Sequence, residues 1–278
     1  MTEIGQSTTQ QSVTIPGADH LSVSLSWGAA TDIGHRRKLN EDSLIAQPPV
    51  FAVADGMGGH AAGDVASSSV VARLAGIPSS DAIDEEIISA ALRQATVDIA
   101  LADDVDEVGV GTTVTGAALT IQGGEPYFVV FNVGDSRVYV FEAGELYQIT
   151  VDHSVVQELV DAGVITRAAA ETHPESNVIT RAVGFNAEPV ADFWLLPVRA
   201  GIRLLICSDG LTREVDDEEL RETLDRGQDA STTANALVAA ALESGGRDNV
   251  TVVVVDVASS PGSHDIDMTV PRVPPPAG

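Results

Sequence analysis

Residues 111–144 read GTTVTGAALTIQGGEPYFVVFNVGDSRVYVFEAG and contain three apolar runs rich in β-branched and aromatic residues. Such runs, with glycine-containing turns nearby and no helical segment between them, predict β-strands. The turn signals Gly123-Gly124 and Ala143-Gly144 are typical of antiparallel connections rather than of crossover helices. We therefore predict an antiparallel meander, with strands at Thr112–Ile121, Tyr127–Asn132 and Val138–Glu142.

Outward from this block, groups of strand-like runs are separated by segments with helical periodicity. Further strands are predicted at Ser43–Ala46, Val50–Ala54, Ala191–Leu195, Ile202–Ile206 and Val250–Val257. Helices are predicted at Ala61–Leu74, Glu85–Leu101, Val155–Ala162, Asp217–Leu224 and Thr232–Glu243. Strands in consecutive blocks with helices between the blocks indicate an α+β fold, with two packed sheets and the helices outside.

The composition limits the classes of partner. Hydrophobic residues make up 44% of the 278 residues and aromatic residues 4%, so the core must consist mainly of Val, Ala, Ile and Leu. Lys and Arg number 15 against 41 Asp and Glu, which gives a formal net charge of −26. So acidic a surface repels nucleic acid and anionic lipid, and we expect neither as a partner. A single cysteine, Cys207, excludes a disulfide framework and a thiolate zinc site.

The two ends of the chain differ from its middle. Residues 1–20 are polar and lack periodicity, which predicts a mobile N-terminal arm. Residues 258–278 carry four prolines near their end and predict a flexible tail, which leaves residues 21–257 as the folded domain. Neither a secretory leader nor a run of about 18 apolar residues is found, so we expect a cytoplasmic protein.

Four aspartates stand at the ends of apolar strands. Asp55, Asp135 and Asp209 follow such runs, and Asp248 comes just before another. Any one of them is typical of an ordinary turn, but four in one chain are harder to explain in that way. If they converge, their mutual repulsion raises their pKa values unless cations bind among them. A site built only of oxygen ligands favours the hard ions Mg²⁺, Mn²⁺ or Ca²⁺.

Seven short segments, taken in order, resemble the PP2C (PPM) family of protein phosphatases, and above all its short bacterial members. The resemblance covers roughly residues 22–257. Seven motifs in the same order are far more specific than any one of them. The segments are Arg37-Lys38-Leu39-Asn40-Glu41-Asp42, Asp55-Gly56-Met57-Gly58-Gly59-His60, Gly111-Thr112-Thr113, Gly134-Asp135-Ser136-Arg137, Asp152-His153-Ser154, Cys207-Ser208-Asp209-Gly210-Leu211 and Arg247-Asp248-Asn249-Val250-Thr251.

The resemblance implies a β-sandwich of two mainly antiparallel sheets flanked by helices on both sides, with a binuclear metal centre at one end. It implies that Asp55 bridges two Mn²⁺ or Mg²⁺ ions and that the carbonyl of Gly56 holds the second. Asp209 and Asp248 would complete the ligands of the first ion.

The resemblance also implies roles for three further acidic residues and one arginine. Glu41 and Asp42 match the acidic pair near the second ion. Asp135, together with Asp209, matches a third and weaker ion position. Arg37 matches the arginine that holds the substrate phosphate, for which a guanidinium has a suitable bidentate geometry.

The implied activity is hydrolysis of phosphoserine and phosphothreonine in proteins, by attack of a hydroxide that bridges the two metals. The catalytic residues would be Arg37, Asp55 and Asp209. The implied partners are phosphorylated substrates of a Ser/Thr kinase and the kinase itself, and we expect a monomer.

Some positions depart from the family pattern. Met57 stands where animal members have a histidine proposed as general acid; His60 is nearby, and the acid stays unassigned. Val155–Gly184 matches the mobile flap of bacterial members. Asn177 falls about where others have a small polar residue near the third ion, which leaves the occupancy of that position open. We interpret His153 as a structural residue.

Two alternative functions compete with this interpretation. Residues 207–213 satisfy the Cys-x5-Arg spacing of cysteine-dependent phosphatases, although Asp209 would place a carboxylate inside that phosphate loop. The second alternative is a non-catalytic binding protein with the same fold. Every position at which the family has a metal ligand is filled here, which argues against a site that has lost its activity.

Overall fold

The structure is a computed structural model that describes residues 1–58, 62–102, 110–170, 172–185 and 188–261. The strands are β1 Glu3–Gly5, β2 Thr8–Ile15, β3 Ala18–Asp32, β4 Asp42–Gln47, β5 Val50–Met57, β6 Gly111–Thr112, β7 Val114–Gln122, β8 Glu125–Val133, β9 Arg137–Glu142, β10 Glu145–Gln148, β11 Asp192–Pro197, β12 Arg203–Cys207 and β13 Val250–Ser259. The helices are α1 Ala62–Ala75, α2 Glu85–Leu101, α3 Val155–Asp161, α4 Arg167–Ala170, α5 Asp209–Thr212, α6 Asp217–Leu224 and α7 Ala230–Ser244.

The strands form two sheets. The first has the order β1-β4-β5-β7-β8-β11, with β6 paired to β5, and the second has the order β10-β9-β12-β13-β3-β2. Neighbouring strands are antiparallel except for β1 and β4. The predicted α+β class, with two mainly antiparallel sheets, is confirmed.

Alternation of side chains along the strands builds three apolar layers. On β5, Phe51 and Val53 face the core between the sheets, whereas Val50, Ala52 and Ala54 face α1 and α2. The outer face of the second sheet packs on α5, α6 and α7. Helices therefore cover both outer faces, and the polar ends of the strands are left at the edges of the sandwich.

The prediction of a continuous meander is wrong at one connection. β8 pairs with β7 and β11, whereas β9 pairs with β10 and β12 in the other sheet. The chain changes sheets between Val133 and Arg137, where Gly134 has a φ of +111°. Ala143-Gly144 is the turn of the separate hairpin β9–β10. Asp135 consequently lies at a crossing between the two sheets rather than at a hairpin.

The prediction of a mobile arm over residues 1–20 is also wrong. β1 pairs in parallel with β4, and β2 pairs with β3, so this segment adds an edge strand to each sheet. The Trp27 indole N–H donates to the Gln6 carbonyl at 2.9 Å, and the side chain of Ile15 is fully buried. Strand pairing uses backbone groups, which a polar sequence supplies as well as an apolar one. The tail prediction lies mostly outside the described residues, because 262–278 are among those left out.

No helix within the described parts of the chain is long and apolar enough to cross a bilayer. The predicted bounds of α2 and α6 agree with those observed, whereas the short elements β6, β10, α4 and α5 were not predicted.

Replacing Gly5 with alanine should detach β1 from β4. An added Cβ would lie 2.3 Å from the Ala46 carbonyl oxygen, and φ at Gly5 is +92°. We expect faster hydrogen exchange at the Leu44 amide, which donates to the Thr2 carbonyl at 2.9 Å. In a Trp194→Phe background, Trp27 fluorescence should become more accessible to a quencher.

Gly201→Ala is the matched control. Gly201 has the same φ of +92° but nothing within 4 Å of an added Cβ, so it carries only the left-handed strain of about 1–2 kcal/mol. Unchanged exchange and quenching in Gly5→Ala would show that β1 does not depend on this close contact.

Candidate metal centre

Two carboxylates stand opposite each other where β4 and β5 meet the edge of the sandwich. Asp42 and Asp55 are register partners in this antiparallel pair, and directly opposite side chains share a face about 5 Å apart. They continue the inner-face series of Leu44 and Val53. Asp42 is fully buried and accepts hydrogen bonds from Thr251 Oγ1 at 2.6 Å and Ser208 Oγ at 3.0 Å. Asp42 therefore links the two sheets at this end.

Asp209 and Asp248 approach the same point from the second sheet. The first turn of α5 passes so close to the start of β13 that a Cβ on Gly210 would lie 1.9 Å from the Asn249 carbonyl oxygen. This close approach requires glycine and sets Asp209 beside Asp248. Burial raises the pKa of Asp209, against the lowering effect of the nearby Arg213 charge, and the charge of Asp248 raises it further.

The start of α1 closes one side of the cluster. A Cβ on Gly56 would lie 2.1 Å from the Gly63 carbonyl oxygen. The Gly56 N–H donates to the Glu41 carbonyl at 3.2 Å, and that carbonyl also accepts from Ser67 Oγ at 2.6 Å. Glu41 is thus fixed next to Gly56. The family resemblance places both residues near the second ion, which requires them to be neighbours.

The Asp55 backbone is held by β6 and the residue that follows it. Its carbonyl accepts from the Thr113 N–H and the Thr112 hydroxyl, both at 2.9 Å. The Asp55 N–H donates to Thr113 Oγ1 at 3.1 Å, and that hydroxyl lies 2.8 Å from Ser136 Oγ. Thr113 therefore ties Asp55 to the crossing that carries Asp135.

The pKa values reflect this crowding. Burial, followed by the charges of Asp42, Asp209 and Asp135, holds the pKa of Asp55 well above its ordinary value. Burial raises the pKa of Asp42 to about 7, against the hydrogen bonds from Thr251 and Ser208. Burial and the charge of Asp209 raise the pKa of Asp135 to about 7 as well. When several carboxyl groups are buried close together, ionisation of one makes ionisation of the others less favourable.

The donor set fits hard cations. Glu41 Oε1, Asp42 Oδ1 and Asp209 Oδ1 are buried and have no hydrogen-bond partner. Buried carboxylate oxygens are costly to leave without a partner, and oxygen ligands without thiolate or imidazole suit Mg²⁺ and Mn²⁺. These three atoms support binding of divalent cations at this cluster.

Two arginines engage the cluster in this conformation. Arg37 donates to Asp248 Oδ2 at 2.6 Å, and Arg213 forms ion pairs with both Asp209 and Asp135. As the side chains stand, no three His, Cys, Asp or Glu residues among those described form a group that could hold a metal ion. Asp248 Oδ2 is thus held by the Arg37 guanidinium, and Asp248 Oδ1 accepts from the Asn249 N–H at 2.8 Å.

Asn249 has a structural role that was not predicted from the sequence. Its side-chain NH₂ donates to the carbonyls of Ile33 and Leu39 at 2.9 and 3.0 Å, and its Oδ1 accepts from the Glu41 N–H at 2.9 Å. Asn249 therefore fixes both ends of the loop that carries Arg37. The signal for this role was present in the sequence, because a buried amide beside a strand end needs partners.

His153 joins the crossing at Gly134 to Thr180 and Asp192, which supports its structural interpretation. Its Nδ1 accepts from the Gly134 N–H at 3.1 Å, and its Nε2 lies 3.1 Å from Asp192 Oδ2. Its carbonyl accepts from the Thr180 N–H at 2.8 Å. Asn177 is exposed, and His60 lies outside the described residues.

The geometry contradicts the cysteine-phosphatase alternative. Cys207 is fully buried, and burial raises the pKa of its thiol to about 12, so no thiolate nucleophile is available near neutral pH. Arg213, which would complete the phosphate loop, is engaged by Asp135 and Asp209 instead.

Comparison with known proteins identifies phosphatases that are similar to this chain. The serine/threonine protein phosphatase PstP of Mycobacterium tuberculosis is 43% identical over 244 residues, which cover 85% of this chain and 46% of that protein. The chain thus spans about half the length of this relative. The serine/threonine phosphatase stp of Listeria monocytogenes is 36% identical over 244 residues, covering 81% of this chain and 93% of that one.

Among solved structures, the catalytic domain of PstP in complex with 2 manganese ions is 38% identical, with a TM-score of 0.72. The match covers 84% of this chain and 99% of that one. A family model described as protein phosphatase 2C matches residues 35–244. The fold, the order of the acidic strand ends and these matches agree, and the chain belongs to the protein phosphatase 2C family.

Proposed function

We propose that this protein is a metal-dependent protein serine/threonine phosphatase. The observation that carries the proposal is the cluster of strand-end carboxylates with three buried, unpartnered oxygens beside the Arg37 guanidinium. An all-oxygen anionic cluster next to a guanidinium suits metal-assisted hydrolysis of a phosphate ester. Manganese in the PstP catalytic domain adds support from a relative.

Asp55, Asp209 and Asp248 are proposed to hold one ion of a pair. Asp55 and the Gly56 carbonyl are proposed to hold the other, with Glu41 and Asp42 beside it. The orphaned Oδ1 of Asp209 and Oε1 of Glu41 are the oxygens available for this purpose. Bound divalent cations would lower the pKa of a water molecule and neutralise charge on the phosphate oxygens.

Arg37 is proposed to bind the phosphate. Its side chain is half exposed and sits on a loop that Asn249 fixes at both ends. Its bond to Asp248 holds it at the mouth of the cluster. When Asp248 turns to a cation, Arg37 is free to donate to a substrate phosphate, with two parallel N–H groups offered to two oxygens.

The substrates are proposed to be phosphorylated proteins made by a Ser/Thr kinase, with the kinase itself among them. A cytoplasmic monomer is proposed as the working form. The acidic composition supports the expectation that nucleic acid and anionic lipid are not partners.

Asp209→Asn should reduce hydrolysis of a phosphothreonine peptide by at least about 10²-fold at a fixed Mn²⁺ concentration. Mutation of a residue that hydrogen-bonds to a metal ligand typically reduces metal affinity or activity about 10–100-fold, and loss of a direct ligand should reduce it at least as much. Chelator should abolish the wild-type activity. Cys207→Ser is the control and should keep full activity. Chelator-resistant turnover that disappears in Cys207→Ser would contradict the proposal.

Arg37→Met should lower kcat/KM on the same peptide by about 10²-fold, because one charged donor to the reacting phosphate is lost. Arg36→Met removes the same charge from the adjacent exposed position and should change kcat/KM little. Steady-state kinetics at saturating Mn²⁺ separate the two variants. Equal losses in both would indicate a general effect of surface charge rather than phosphate binding.

The metal-free protein should lose stability as pH rises from about 4 to about 7. Asp42 and Asp135 have pKa values near 7 in the fold but about 3.9 when unfolded, so the folded state binds more protons over this interval. Mn²⁺ needs the deprotonated carboxylates and should oppose this loss.

Thermal melts at several pH values, with chelator and with Mn²⁺, measure both effects. Asp42→Asn should flatten the pH dependence of the chelated protein. A melting temperature that rises with pH in the chelated wild type would contradict the assignment of raised pKa values.

A further inference from the structure

Arg213 joins two carboxylates that come from different parts of the fold. Its Nη2 lies 3.3 Å from Asp135 Oδ2, at the crossing between the sheets, and forms an ion pair with Asp209 Oδ2 on α5. The Asp135 and Asp209 side chains are 9% and 10% exposed, and that of Arg213 is 33% exposed. This is a largely buried triad of one cation and two anions rather than a surface pair.

The backbone of Arg213 is fixed, which keeps its guanidinium in reach. Its N–H donates to the Asp209 carbonyl at 2.9 Å as the C-cap of α5. Its own carbonyl accepts from Arg247 Nη2 at 3.2 Å, and Arg247 is in turn bonded to Glu214 at 2.8 Å. Residues four apart on a helix are neighbours on its surface, so the Arg213 side chain can reach the Asp209 carboxylate.

Asp209 can serve Arg213 and a metal at the same time. Arg213 engages Oδ2, whereas Oδ1 is buried without a partner. The proposed pair of metal ions therefore has an Asp209 oxygen available without displacement of Arg213. A third cation held between Asp135 and Asp209 does not fit these residues in the same way, because it would stand beside the positive charge of the guanidinium, which already holds one oxygen of each acid.

We propose that the guanidinium of Arg213 takes the place of a third metal ion between Asp135 and Asp209, so that the enzyme works with two ions. This inference rests on the proposed function, since it assigns the cation that serves these two acids in the same site. Arg213 is a positioning residue: it neutralises Asp135 and holds Asp209 with Oδ1 directed to the metal pair.

The test counts bound Mn²⁺ in the folded protein by equilibrium dialysis at rising free Mn²⁺, with bound metal measured by atomic emission. Arg213→Gln keeps a side chain of similar length and hydrogen-bonding ability but removes the charge. It should take up one more ion than the wild type. The double variant Arg213→Gln, Asp135→Asn should lose that additional ion, whereas Asp135→Asn alone should leave the wild-type count unchanged.

Arg221→Gln is the control. Arg221 is paired with Glu218 on α6, outside the acidic cluster, and its loss should not change the ion count. Circular dichroism at each metal concentration verifies that every variant is folded, and Arg213→Lys provides a second variant that retains a charge and should retain the wild-type count.

Two outcomes would overturn the inference. One is a wild type that loses an ion on Asp135→Asn, which would mean that Asp135 already holds a metal. The other is a folded Arg213→Gln that gains no ion. Failure of the proposed function itself looks different, because the wild type would then bind no Mn²⁺ and Asp209→Asn would not alter the count.

Discussion

Repulsion among buried carboxylates is the constraint on which this end of the molecule depends. Asp42, Asp55, Asp135 and Asp209 converge where the two sheets end, and after burial the charges of Asp42, Asp209 and Asp135 each raise the pKa of Asp55. Without counter-charges such a cluster favours protonation or unfolding. The apolar core between the sheets holds it together, since each acid ends a strand or crossing that the core fixes rigidly.

Close backbone contacts make the convergence possible. Gly56 meets the carbonyl of Gly63 at the start of α1, and Gly210 meets the carbonyl of Asn249 at the start of β13, where any Cβ would clash. Hydroxyl groups then link the sheets: Thr251 and Ser208 bind Asp42, and Thr113 binds both Asp55 and Ser136. Glycines set the distance between elements, and the small hydroxyl residues connect them in the space that remains.

The sequence predicted the parts that follow from local pattern. The acidic strand ends, the bounds of α2 and the two-sheet class agree with the structure, because strand alternation and helical periodicity report on burial. The N-terminal strands were missed, since residues 3–15 pair through backbone groups and carry mostly polar side chains. The sheet change at Gly134-Asp135 was missed because hairpins and crossings share the same turn residues. The ligand assignments came from the family resemblance, and no local pattern could have supplied them.

Burial and the number of acidic partners differ between the two arginines near the cluster, Arg37 and Arg213. Arg37 is half exposed and, among the described residues, is paired with Asp248 alone, so in the proposed site it exchanges this partner for a phosphate when a cation takes the carboxylate. Arg213 is more buried, holds two acids and has a fixed backbone, so leaving would uncover two anions at once. Removing one partner of a buried ion pair costs far more than removing an exposed one. Exposure and partner number thus separate a mobile arginine suited to substrate from a stationary one suited to hold the site.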